Sequence, residues 1–223
     1  MSDLLELLKS RAKSKPSKAQ EIEWFPSRWQ RVFDGSPLND ILDQVIAITG
    51  AECGKAMIKR DQAFQKYSND LRFTFLATMI WGRGDDNRGP KVTIRMMQDC
   101  NFDNTVKELS DTARSKSPQV AFEKLFIKRR TRLPRLGVSF GTKVIHAFGY
   151  RQKGLQPLVY DLRVYQKLKA LYERNDYPSE PKHPWRFMTG EPYGLYCEWA
   201  ADLAHELECE PGDVECALYE RKQ

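Results

Sequence analysis

No apolar run in this sequence approaches the roughly 20 residues a helix needs to cross a bilayer. The first stretch, Met1 to Lys15, alternates charge with leucine and lacks the apolar block of a signal peptide. A soluble, cytoplasmic chain with no membrane partner is therefore expected. Cysteine is scarce and odd in number (Cys53, Cys100, Cys197, Cys209, Cys216) and never falls in CxxC spacing, which argues against a disulfide framework and a zinc site. The thiols read as reduced core filler, and neither metal nor cofactor is expected. Alternating β-branched segments are also scarce. Acids are missing from one long window: between Lys124 and Tyr160 there is no Asp or Glu, where the chain's 30 acids in 223 residues would place about five. Lys124, Lys128, Arg129, Arg130, Arg132, Arg135, Lys143, Arg151 and Lys153 occupy that window, and the acids gather from Glu191 to Glu220. Such segregation points to a polyanionic partner on one face; a solvated basic face is the plainer alternative.

With 41% hydrophobic residues the chain can bury the core of one domain, or of two small ones sharing a cleft. Apolar residues recur at three- and four-residue spacing, so the fold class is all-α or nearly so. Helices are predicted at Leu4 to Lys13 after Ser2, Ile41 to Ile48 after Pro37, and Leu71 to Trp81 after Ser68. Further helices are predicted at 92–99, 104–114, 119–129, 141–148, 159–173, 195–207 and 213–221. Leu71 to Trp81 (LRFTFLATMIW) is apolar nearly all round, as a central buried helix is. It ends in the turn-rich WGRGDDNRGP, and Tyr177 to Pro184 is a weak linker candidate.

The segment Arg132 to Leu168 (RLPRLGVSFGTKVIHAFGYRQKGLQPLVYDLRVYQKL) carries the chemistry. Gly137 and Gly141 allow a tight turn and close approach, and the amides opening the next helix, with Arg132 and Arg135 nearby, suit a phosphate. Lys143 is expected in that helix's first turn, where the dipole opposes its charge and lowers its pKa. It reads equally as a nucleophilic amine or a phosphate-binding lysine. Asp161, flanked by Leu158, Val159, Tyr160, Leu162 and Val164, reads as a helix cap, as a carboxylate facing a nucleophile, or as both.

The run GTKV (Gly141 to Val144), with Asp161 eighteen residues after the lysine in LVYDLRV, resembles the helix-hairpin-helix signature of the 8-oxoguanine and endonuclease III DNA glycosylase superfamily. It is most similar to a group of small prokaryotic 8-oxoguanine-glycosylase-like proteins, some linked to anti-phage defence, on Leu136 to Lys143, Trp81-Gly82 and the terminal VECALYERK. The resemblance spans roughly Leu71 to Lys222. It implies a helical fold with a cleft between two lobes, residues 71–223 forming the glycosylase core. Residues 1–70 form a helical region without an assigned role, in one compact unit with that core.

It further implies that Lys143 is the Schiff-base nucleophile, Asp161 the catalytic aspartate and Gly141 the second hairpin glycine. Ser139 stands where the first hairpin glycine is usual, and Arg163 where relatives place a DNA-contacting His. Ala147 replaces the pocket Cys of 8-oxoguanine enzymes. The implied activity is excision of a flipped base from double-stranded DNA by a monomer, leaving an abasic site, with a lyase step open. The base is 8-oxoguanine or a hypermodified phage base such as glucosylated hydroxymethylcytosine. A non-catalytic DNA-binding module is the competing reading.

Further DNA-contacting candidates are Gly137, Thr142 and, from the loop after the central helix, Trp81 as wedge or core anchor with Arg83 and Arg88. His146, three residues after Lys143, is within reach of DNA, but a lone helical His reads more readily as a packed or capping residue. Tyr150 and Tyr160 are candidates to stack on an extruded base, and Tyr165 reads as core.

Overall fold

The computed structural model describes residues 3–14, 16–50, 54–64, 70–115, 117–127, 133–150, 154–184 and 189–220. Ser2 and Ser68 lie outside them, as do Lys128, Arg129, Arg130, Arg132, Arg151 and Lys153 of the basic window. The described residues form twelve α-helices and one two-stranded sheet. In chain order these are α1 (Asp3–Ser14), β1 (Glu21–Trp24), α2 (Pro26–Phe33), α3 (Asn39–Thr49), β2 (Ala56–Lys59), α4 (Arg60–Phe64) and α5 (Leu71–Arg83). Then come α6 (Gly89–Met97), α7 (Phe102–Ser115), α8 (Pro118–Phe126), α9 (Val138–Phe148), α10 (Leu162–Tyr172), α11 (Gly190–Leu207) and α12 (Pro211–Tyr219). The fold is all-α apart from the antiparallel β1–β2 pair, in register Glu21↔Lys59 to Trp24↔Ala56.

α5 is the central helix. Every residue from Phe73 to Trp81 is buried, and α3, α4, α6, α7, α9 and β1 pack around it. It starts at Asp70, whose carboxylate accepts from Phe73 N (2.9 Å), and stops at Gly84 in a positive-φ conformation (52°). A Cβ on Gly84 would lie 2.8 Å from Ile22 Cγ2 and 3.1 Å from Glu23 O, so this close approach seats the sheet against the end of α5. The residues before 70 are thus tied to the helices after it, and α1 likewise packs on α12.

α2 and the sheet escape the periodicity reading. Pro26 looks like a breaker but occupies the first turn, where its missing N–H costs nothing. Trp29 and Phe33, four residues apart, then enter the core beside Trp24. Each strand is only four residues long, too short for a visible alternation. No described helix is long and apolar enough to cross a membrane. Cys100, Cys197, Cys209 and Cys216 are free thiols.

Candidate active site

Leu133 to Gly137 connect toward α9. Leu136 N donates to Leu133 O (3.2 Å), with Pro134 second in the turn and Arg135 third at φ 65°, as in a type II turn. Gly137 is the N-cap of α9, which opens with Val138, not at Gly141 as the sequence suggests. Gly141 N already donates to Gly137 O (2.8 Å) inside the helix, so it offers nothing to a phosphate. Its requirement is steric. A Cβ there would lie 2.2 Å from Phe126 Cζ and 2.8 Å from Leu125 Cδ2, so glycine lets α8 and α9 pack closely.

Lys143 is therefore in the second turn of α9 and buried. Its methylenes cross Gly82 of α5, where a Cβ would meet Lys143 Cδ at 2.8 Å. Nζ donates to Ser139 Oγ (3.3 Å) and lies 3.9 Å from Asp161 Oδ2. Burial holds the amine below the ordinary lysine range, opposed by Asp161 and Glu215 and aided by Arg60 and Arg163. The downward shift expected from the sequence is present, and desolvation is its largest cause.

Asp161 is the N-cap of α10. Its Oδ1 accepts from Arg163 N (2.9 Å) and Val164 N (3.1 Å), leaving Oδ2 toward Lys143. Cap and facing carboxylate are one residue. Among the described residues the extended segment before it has no strand partner, and side chains satisfy its backbone instead. Pro157 O accepts from His146 Nδ1 (2.6 Å), Leu158 O from Tyr193 (2.7 Å) and Val159 O from Tyr196 (3.1 Å). Val159 N donates to Glu215 Oε2 (3.2 Å) and Tyr160 N to Thr142 Oγ1 (3.0 Å). Three helices, α9, α11 and α12, thereby fix the approach to Asp161.

Glu215 in turn binds Arg60 through both carboxylate oxygens, and the two side chains are almost wholly inaccessible. Arg60 Nη2 also meets His146 Nε2 (2.9 Å). An arginine only donates, so Nε2 accepts, Nδ1 carries the proton toward Pro157, and His146 is neutral. Its pKa is held well below the usual histidine value by burial, with Arg60 adding to the effect.

Lys143 and Asp161 line a cleft of about 410 Å³, within the range of roughly 300–1,000 Å³ typical of small-molecule sites. Ser139, Val159, Glu215 and Tyr219 join them, as does the run Trp81 to Asp85. Gln20, Ile22 and Glu23 complete the lining.

The other sequence candidates divide. Ser139 lines the site, where its Oγ accepts from Lys143 Nζ. Thr142 is fully buried and committed to Tyr160 N and Val138 O, which corrects its reading as a DNA contact. Trp81 is 4% exposed and edge-on to Phe64, so it lines the cleft and does not project as a wedge. Arg83 lines the cleft too, but its guanidinium stacks on Phe140 (4.2 Å) and pairs with Asp86 (3.0 Å). Arg163 lies over the Tyr219 ring (4.5 Å). Arg135 is exposed at the turn, Gly137 half-buried, and Arg132 lies outside the described residues. Tyr150 and Tyr160 are buried, which removes them as base-stacking platforms; Tyr165 packs on the core.

The sequence reading missed Gln20, Ile22, Glu23, Arg60, Glu215 and Tyr219. Their only signal was weak: Glu215 is an acid inside the apolar VECALY, and Arg60 follows the short apolar AMIK.

Compared with known proteins, residues 15–219 match the family described as "Putative 8-oxoguanine DNA glycosylase OGG-like protein". The chain belongs to this family. Its activity class is accordingly DNA glycosylase and its substrate DNA. The match begins at residue 15, so the sheet and α2 to α4, to which the sequence reading gave no role, are part of the family's fold. No curated protein and no solved structure matches the chain.

Proposed function

We propose that the protein excises a modified base from duplex DNA with Lys143 as nucleophile and Asp161 as its partner carboxylate. The observation that carries this reading is a buried amine, depressed by desolvation, 3.9 Å from a carboxylate oxygen that the helix cap leaves free. The duplex base must first be extruded into the cleft. The neutral amine then attacks C1′ of the sugar; its lone pair forms the C–N bond as the bond to the base breaks, and the base leaves with the electron pair of that broken bond and with the proton that Lys143 sheds, relayed by Asp161. Asp161 Oδ2 stabilises the oxocarbenium-like charge on the sugar and takes the proton that Lys143 sheds. Opening of the sugar ring gives a Schiff base, from which β-elimination of the 3′ phosphate is the natural sequel.

Gly137 and the amides of Val138, Ser139 and Phe140 at the start of α9 present the phosphate site, with Arg135 beside it. Arg135 holds a left-handed conformation that costs a non-glycine residue about 1–2 kcal/mol. A charged side chain kept there at the exposed tip suits a contact to the DNA backbone. The Lys143–Asp161 pair in a cleft favours catalysis over a passive binding module.

The two substrate candidates remain 8-oxoguanine and glucosylated hydroxymethylcytosine. Incubation with duplexes carrying each, and mass spectrometry of the released small molecules, tests the proposal. Free base from one of them is the expected result; intact duplexes and an uncut abasic duplex would refute it.

A further inference from the structure

Arg60 of α4 and Glu215 of α12 form an ion pair in the interior, their side chains 0% and 3% exposed. Apolar groups of similar volume in place of such a pair are often neutral or stabilising, so stability alone does not account for it. Arg60 Nε is also buried without an acceptor among the described residues, a further cost. A pair kept against these costs points to a use in the adjoining site. Glu215 lines the cleft beside Lys143 and Asp161; Arg60, over the rings of Trp81 (5.5 Å) and Phe64 (5.9 Å), does not. Each member holds the segment that carries Asp161. Glu215 Oε2 accepts from Val159 N (3.2 Å), and Arg60 Nη2 donates to His146, whose Nδ1 donates to Pro157 O. With Pro157 and Val159 anchored, Asp161 enters its cap with Oδ2 3.9 Å from Lys143 Nζ.

The pair also acts on the amine through charge. Burial lowers the Lys143 pKa; Asp161 and then Glu215 oppose it, and Arg60 and Arg163 add to it more weakly. Arg83 of α5, on the Phe140 ring, and Glu23 and Asp85 of the lining share the cleft. The charged groups of the other helices packed on α9 are engaged elsewhere. Asp61 of α4 accepts from Tyr150 (3.0 Å), Arg114 of α7 donates to Phe148 O (3.4 Å), and Glu108 of α7 pairs with Lys124 of α8.

We propose that Arg60 and Glu215 are positioning residues for the catalytic pair: one buried ion pair fixes the segment bearing Asp161 and balances the charge beside Lys143. This deepens the Lys143 chemistry proposed above and rests on it. It also gives the residues before 70 a part in the site, because the positive member comes from α4.

The test is the pH profile of cyanoborohydride trapping on a saturating abasic duplex, measured on the full chain, with thermal unfolding of each variant alongside. Glu215→Gln keeps an acceptor for Val159 N but leaves the Arg60 charge unbalanced, so its trapping should inflect at lower pH than wild type. Arg60→Met with Glu215→Gln removes both charges, and the inflection should return toward wild type. Glu215→Asp keeps the charge one methylene short of Val159 N. It should inflect with wild type while its plateau rate falls about tenfold, the scale of a lost hydrogen bond. Because Glu215→Asp retains the ion pair, it carries the test even if removal of a charge prevents folding. Coincident inflections in all the variants would overturn the proposal, the mark of a pair that only holds the fold. A double variant inflecting no higher than Glu215→Gln would overturn it too, as would a Glu215→Asp plateau equal to wild type. Failure of wild type to trap at all would strike the Lys143 reading itself, a different outcome.

Discussion

Replacing Gly141 with alanine places a methyl 2.2 Å from Phe126 Cζ, where contacting carbons normally lie about 3.5–4.0 Å apart. The ring must retreat by more than an ångström, and Leu125 Cδ2 at 2.8 Å limits where it can go. Overpacking of this kind costs about 1–3 kcal/mol, offset by the roughly 0.5–1 kcal/mol that alanine gains over glycine inside a helix. The net expectation is a loss of about 1–2 kcal/mol, or roughly 2–8 °C in Tm for a chain of this size. The assay is a double-mutant cycle with Phe126→Leu, followed by urea unfolding. Shortening Phe126 removes the nearest atom, so the two substitutions should couple favourably by about 1 kcal/mol or more. DNA affinity of the folded Gly141→Ala protein should stay near wild type. A large loss of affinity at unchanged stability, with no coupling to Phe126, would refute the packing account and restore Gly141 as a phosphate-approach glycine.

Three further outcomes follow from the site. Asp161→Asn keeps the α10 cap and should be inactive yet folded within about 0.5 kcal/mol of wild type, while Asp161→Ala should lose about 1 kcal/mol as well; an active Asn variant would remove the carboxylate from the chemistry. Because attack needs the neutral amine and burial lowers the Lys143 pKa, trapping should rise with pH and level off below the usual lysine range. Asp161 raises that pKa, so residual trapping by Asp161→Asn should inflect at lower pH still, and an upward move would contradict the assignment. Arg60→Met leaves the buried Glu215 carboxylate without its counter-ion and should cost about 3–5 kcal/mol; adding Glu215→Gln, which keeps an acceptor for Val159 N, should recover half or more. An undiminished loss in the double variant would show that the Arg60–Glu215 pair is not the source.

The readable parts of the sequence are those whose cause is local or periodic. Leu71 to Trp81 is apolar on every face and is the central helix, and Lys143 and Asp161 stood out through the GTKV context and their spacing. Helix starts near glycine were misplaced, because Gly141 and Gly89 look like turn residues while one serves helix packing and the other opens α6. Arg60, Glu215 and Gln20 were illegible for another reason. Each acts through partners 40 to 196 residues away, and an arginine whose counter-ion is that remote looks like any surface base. The acid-rich end likewise hid two buried carboxylates, Glu215 and Asp213, the latter accepting from Ser17 N and Glu210 N.

The central claim, that the Lys143 amine attacks the sugar, is tested most directly by reducing the protein with borohydride in the presence of an abasic duplex and mapping the adduct by peptide mass spectrometry. The account predicts a covalent protein–DNA adduct on Lys143 that is absent from Lys143→Gln. An adduct of equal yield in that variant, or one mapped to another lysine, would contradict it.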